Sequence, residues 1–61
     1  MMDNHRKSGV LIVDDRISNI MIITEILRPE YNVYTANNGP DGIEAAEKYL
    51  PDVILLDIIM P

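Results

Sequence analysis

The stretch Val53-Ile54-Leu55-Leu56-Asp57 decides the fold, because four consecutive apolar residues end in a carboxylate. A continuous apolar run of this length is typical of a strand that is buried on both faces of a parallel sheet. A second run, residues 10–13, ends in the same way with Asp14 and Asp15. Open α/β sheets place their ligands at the carboxyl ends of the strands. The two runs therefore predict an anionic pocket at one edge of a parallel sheet.

The composition of the chain narrows the class of protein. With 61 residues, we expect at most one small domain. The net charge of −5 argues against a nucleic-acid reader, which needs a basic face. There is no cysteine, so disulfides and thiolate metal sites are excluded. We recognise neither a signal peptide nor an apolar run long enough to cross a bilayer, so we expect a cytoplasmic protein without a membrane partner.

The remaining segments predict the order strand, helix, strand, helix, strand. After the first apolar run, Ile20, Ile23 and Leu27 recur at helical spacing, and Pro29 ends that helix. Residues 31–36 alternate and are rich in strand-forming residues, which predicts a half-exposed edge strand.

The second helix is predicted to begin at Pro40, a residue favoured at the first helical position. One face of it would carry Ile43, Ala46 and Leu50, and Pro51 would end it. A glycine inside the helix, Gly42, costs about 1 kcal/mol relative to alanine and predicts a weak helix.

These elements predict an α/β fold with parallel strands in the order 2-1-3 and one helix on each face. The switch point of such a sheet lies between strands 1 and 3, where Asp14, Asp15 and Asp57 meet. Three carboxylates repel one another there unless a cation intervenes. Mg²⁺ fits, because it takes one or two carboxylates and retains several waters.

In this order and spacing, the motifs resemble the receiver domain of bacterial two-component response regulators. The matching segments are Val13-Asp14-Asp15, Asn19, Ala36-x-Asn38-Gly39 and residues 51–61. The resemblance implies that residues 9–61 form the amino-terminal half of a receiver, half of a flavodoxin-like doubly wound βαβαβ sheet, behind a polar tail of residues 1–8.

The resemblance also implies a function as the phosphoacceptor module of a two-component phosphorelay. Asp57 would attack a phosphohistidine on a sensor histidine kinase or phosphotransfer protein and form an aspartyl phosphate. Mg²⁺ would be held by Asp14, Asp15, a carboxylate oxygen of Asp57 and the backbone carbonyl of Ile59. Such a chain is a signalling domain and not an enzyme, with weak self-phosphorylation at most.

In the family, the first helix also belongs to the surface that docks the kinase. We expect Ile17, Ile20 and Met21 to form part of this docking patch.

The chain departs from the family pattern after the third strand. The hydroxyl residue of a fourth strand and the lysine of a fifth strand have no counterparts in it. The third strand would then carry a bare hydrophobic edge, which is a template for pairing with another chain. We therefore expect a homodimer that forms through the edge of strand 3 and through helix 1. The alternative function is a truncated half receiver that self-associates and acts as a non-phosphorylated interaction module.

Simpler alternatives exist for the acidic residues. Asp57 could be a strand-end acid that faces solvent, and Asp14 or Asp15 could cap the first helix. A haloacid-dehalogenase-type phosphatase would need a second acid at position 59, which is isoleucine. A dinucleotide-binding half-domain would need G-x-G-x-x-G after the first strand, and the chain lacks that motif.

Overall fold

A computed structural model describes residues 7–57, with Asp57 described by its backbone alone. Five elements follow one another: β1 (Ser8–Asp14), α1 (Ile17–Leu27), β2 (Tyr31–Ala36), α2 (Gly39–Tyr49) and β3 (Val53–Asp57). The strands are parallel and lie in the order β2-β1-β3. The predicted succession of elements and the predicted strand order are confirmed.

Strand β1 is the centre of the sheet and supplies most of its core. Its four apolar residues, 10–13, are all buried, because β1 lies between β2 and β3 and both helices pack against it. This burial on both faces is what the continuous apolar run predicts.

The two helices cover opposite faces of the sheet. Asn19 of α1 contacts Asp14, whereas Gly42 of α2 lies against the side chain of Val13. Because successive side chains of a strand point to opposite faces, contacts with Asp14 and Val13 place α1 and α2 on different sides. The prediction of one helix on each face is confirmed.

Helix α1 ends at Leu27, two residues before Pro29, as predicted. Ile20, Ile23 and Leu27 are half-buried against the sheet, but no residue of the helix is fully buried. Ile22 and Ile26 are exposed, so the apolar stripe of α1 is wider than its contact with the sheet.

Helix α2 begins one residue earlier than predicted, at Gly39, which makes Pro40 its second residue. Asn38 is the N-cap, and its side-chain oxygen accepts a hydrogen bond of 2.8 Å from the backbone N–H of Asp41. This bond satisfies one of the free N–H groups at the start of the helix.

Of the three residues predicted to share one face of α2, Ala46 packs against the core, whereas Ile43 and Leu50 do not. Ile43 and Leu50 are 65% and 78% exposed, while Gly42 is buried and Ala45 and Ala46 are half-buried. Leu50 follows the helix in a left-handed conformation (φ 50°), so it leaves the helical stripe. The small residues face the sheet because they let the helix backbone approach the strands closely.

Strand β3 pairs with β1 along its whole length, but its apolar side chains are 40–69% exposed. The prediction that both apolar strands are interior is therefore correct for β1 and wrong for β3 within residues 7–57. Over the same residues, no helix is long and apolar enough to cross a membrane.

Candidate functional site

The strand register brings the two predicted acidic strand ends together. In the pairing of β1 with β3, Asp14 and Asp57 are Cα partners, and both are the last residues of their strands. Asp15 follows directly after β1 and is exposed. The backbone therefore juxtaposes two of the predicted acidic positions at the carboxyl edge of the sheet and leaves the third beside them.

Asp14 is the buried polar residue of the described chain, with only 1% of its surface exposed. Its Oδ1 accepts a hydrogen bond of 2.9 Å from the backbone N–H of Arg16. Its Oδ2 accepts a longer one of 3.4 Å from the side-chain amide of Asn19. Both donors are neutral, so the carboxylate is held in place by dipoles from the turn into α1 and from its first turn.

No cationic side chain is paired with Asp14 within the described residues. The ion pair that they contain joins Arg28 and Glu25, with both side chains exposed on the surface. A buried carboxylate is normally paired with a cation or bound to a metal, because burying an isolated charge is costly. Among the side chains of residues 7–56, none supplies a positive charge to Asp14, and a bound metal ion would supply one.

The donor set at this edge fits a hard divalent cation. An ionised carboxylate offers about four acceptor positions, and the two hydrogen bonds to Asp14 use one on each oxygen. Carboxylate oxygens are the ligands that Mg²⁺ prefers, and it binds through one or two of them. Asp14 and the exposed Asp15 can therefore contribute to such a site.

The complete predicted ligand set lies partly outside the described residues. The side chain of Asp57 and the carbonyl of Ile59 belong to the part of the chain that is not described. Among the described side chains, no group of three or more His, Cys, Asp or Glu residues is clustered around a common point. The four-ligand site therefore stays a prediction, as does the solvent-facing alternative for Asp57.

The alternative that Asp14 or Asp15 is the N-cap of the first helix is wrong. The N-cap of α1 is Arg16, and no side chain makes a cap hydrogen bond there. Asp14 lies two residues before the N-cap and accepts a hydrogen bond from the Arg16 N–H, which stabilises the turn between β1 and α1.

Asn19, one of the residues that carry the family resemblance, makes a contact in the site that the sequence did not predict. The sequence suggested a structural helix residue and not a metal ligand, and its contact with Asp14 was not foreseen. The available signal was its place in the first turn of α1, directly after the two acids.

The predicted docking patch is partly accessible. Ile17 and Met21 are 59% and 63% exposed and lie one helical turn apart, while Ile20 is half-buried. Two of its three residues can therefore contact a partner directly.

A doubly wound parallel sheet with acidic residues at its carboxyl edge defines the class of this domain. The family model of the response regulator receiver domain matches residues 10–61. The chain belongs to this family, of which it covers the amino-terminal part of the domain.

Individual relatives agree with this assignment. The chain is 43% identical over 53 residues to the response regulator PleD of Caulobacter vibrioides, covering 85% of this chain and 12% of PleD. It is 42% identical over 53 residues to the protein PilH of Pseudomonas aeruginosa, covering 85% of this chain and 44% of PilH. It is 34% identical over 61 residues to the histidine kinase P4 of Formosa agariphila, covering 100% of this chain and 4% of that protein.

The chain thus spans less than half the length of each of these relatives. No solved structure matches it significantly.

Proposed function

We propose that the chain is the phosphoacceptor part of a two-component phosphorelay and receives a phosphoryl group on Asp57. The donor is a sensor histidine kinase or a phosphotransfer protein. The observation that carries this proposal is the register, which makes Asp57 the direct neighbour of the buried Asp14 at the carboxyl edge of the sheet. The family match and a histidine kinase among the relatives support it. The proposal includes a cytoplasmic location and a signalling role without enzymatic turnover.

The transfer is a displacement at phosphorus. A carboxylate oxygen of Asp57 forms the new P–O bond while the P–N bond of the phosphohistidine breaks. The electron pair of that bond stays on the imidazole nitrogen, and the histidine leaves as a neutral imidazole because its other ring nitrogen carries a proton. A bound Mg²⁺ would supply the positive charge that offsets the repulsion between the anionic donor and the anionic nucleophile. In this proposal Asp14 and Asp15, with Asp57 and the Ile59 carbonyl, hold that ion.

Incubation with Mg²⁺ and a small acyl phosphate should add one phosphoryl group to the chain, as measured by intact-mass spectrometry. Asp57→Asn should abolish the addition, because the amide is not a nucleophile at this position. The control is Asp52→Asn, which lies directly before β3, at the end of the strand away from Asp57. The Oδ2 of Asp52 accepts a hydrogen bond of 2.7 Å from the Gly9 N–H, and asparagine retains an acceptor for it. A wild-type chain that gains no mass, or an Asp57→Asn variant that still does, would contradict the proposal.

We also propose that the 61-residue chain, expressed by itself, forms a homodimer. Two observations favour this second function. All four apolar residues of β3 are exposed, and on α1 Ile22 and Ile26 are exposed as well. A hydrophobic strand whose outer edge is unpaired in the described chain can hydrogen-bond to the same strand of a second copy. The dimer extends the sheet across a two-fold axis.

Size-exclusion chromatography with light scattering should give the mass of a dimer at micromolar concentration. Leu56→Lys should shift the chain toward the monomer, because Leu56 is 69% exposed on β3 and a charge there opposes strand pairing. The matched control is Ile43→Lys, which places the same charge at a similarly exposed residue of α2. A wild-type monomer at every concentration would refute self-association. A dimer that cannot be phosphorylated would favour the non-phosphorylated interaction module.

A further inference from the structure

We propose that Asn19 is a positioning residue, which orients the carboxylate of Asp14 for binding of a divalent cation. The inference rests on the metal site of the proposed function and adds a residue that has no place in the predicted ligand set. Asn19 acts through Asp14 and does not itself contact the ion.

The geometry shows why a second hydrogen bond to Asp14 matters. The Arg16 N–H holds Oδ1 at 2.9 Å, and one such bond leaves the carboxylate free to turn about its Cβ–Cγ bond. The amide of Asn19 donates a second, weaker hydrogen bond of 3.4 Å to the other oxygen, Oδ2, and this bond opposes that rotation. With both oxygens held from the helix side, the remaining acceptor positions keep a fixed direction. A fixed direction lowers the entropic cost of binding an ion, which is how outer partners of metal ligands act.

The helix alone gives no reason for asparagine at this position. Asparagine is a poor residue inside a helix and is favoured at the N-cap, where its side chain accepts from a backbone N–H. Here the N-cap is Arg16, and Asn19 lies inside the first turn. Its side chain donates to Asp14 instead of capping the helix. The contact with the buried acid is therefore the interaction that this side chain provides.

Calorimetric titration with MgCl₂ should show about tenfold weaker binding for Asn19→Ala than for the wild type, the lower end of the range for such outer partners. Alanine is the better helix former, so a purely structural role of Asn19 predicts a folded chain with unchanged affinity. Asn19→Gln retains the amide donor and should recover part of the lost affinity. Ser18→Ala is the matched control, since Ser18 is exposed in the same helical turn and should bind as the wild type does.

A spectroscopic signal separates positioning from helix stability. In the wild type, the side-chain amide resonances of Asn19 should shift on addition of Mg²⁺, because their acceptor becomes a metal ligand. Equal affinities of Asn19→Ala and wild type, or an unmoved Asn19 amide in a chain that binds Mg²⁺, would overturn the role of Asn19 and leave the metal site standing. A wild-type chain that binds no Mg²⁺ would instead remove the metal site, and the role of Asn19 with it.

Discussion

Replacing Gly42 by alanine should lower the free energy of unfolding by about 1–2 kcal/mol, although alanine is the better helix former. A Cβ atom at position 42 would lie 2.9 Å from Cγ2 and 3.2 Å from Cγ1 of Val13. Val13 is 2% exposed, and as a β-branched residue it has little rotameric freedom with which to give way. Overpacking typically costs about 1–3 kcal/mol, and a 2.9 Å contact with a stiff buried side chain belongs in the upper part of that range, about 2–3 kcal/mol. After the gain of about 1 kcal/mol in helix propensity, a net loss of about 1–2 kcal/mol remains.

Urea denaturation of the two chains, followed by circular dichroism, measures the effect. Gly39→Ala is a matched control in the same helix, because no atom lies within 4 Å of the Cβ that it would add and its φ is not positive. That variant should be as stable as the wild type or slightly more so. The double variant Val13→Ala with Gly42→Ala should lose less stability than the sum of the losses of Val13→Ala and Gly42→Ala alone, since Val13→Ala removes both methyl groups that the new Cβ meets. If Gly42→Ala and Gly39→Ala were equally stable, α2 would not approach Val13 closely.

The effect of Gly42→Ala should be large relative to the total stability of the chain. A 61-residue domain is expected to unfold with a free energy of only about 3–9 kcal/mol. A loss of about 1–2 kcal/mol should therefore populate the unfolded state measurably at moderate temperatures.

The strand order could be predicted from the sequence because it depends on signals that are local and strong. The apolar run of residues 10–13 identifies a strand buried on both faces, and such a strand belongs at the centre of a sheet. The face of α2 could not be predicted in the same way. In the sequence, Gly42 indicates only a helix of low intrinsic stability. Its close contact with Val13 depends on how the helix packs on the sheet, which the sequence pattern does not specify.

The candidate site was predictable at the level of the backbone and less so at the level of side chains. Parallel strands that both end in acids must bring those acids to one edge, and the register of Asp14 with Asp57 agrees. The burial of Asp14 and its bond to the Arg16 N–H depend on the path of the turn into α1. No periodicity in the sequence encodes that path.

Mg²⁺ should stabilise the wild-type chain against unfolding, and Asp14→Asn should abolish this stabilisation. A ligand that binds only the folded state adds about 2.7 kcal/mol when its concentration is 100 times Kd. The unfolded chain offers no preformed site, because the register of β1 and β3 is what brings position 14 next to position 57. Asparagine at position 14 retains an oxygen for the Arg16 N–H but lacks the charge that attracts the ion.

The measurement is the urea midpoint with MgCl₂ and with NaCl at equal ionic strength. The salt comparison is necessary because a chain of net charge −5 is stabilised by any ion that screens its self-repulsion. Glu44→Gln removes one negative charge from the exposed surface of α2 and should keep the full response to Mg²⁺. Asp14→Asn removes one charge as well. A difference between the two variants in their stabilisation by Mg²⁺ is therefore due to the metal site and not to the net charge. If Mg²⁺ raised the urea midpoint equally in the wild type, Asp14→Asn and Glu44→Gln, it would act only as a screening ion. Asp14 would then not be a metal ligand.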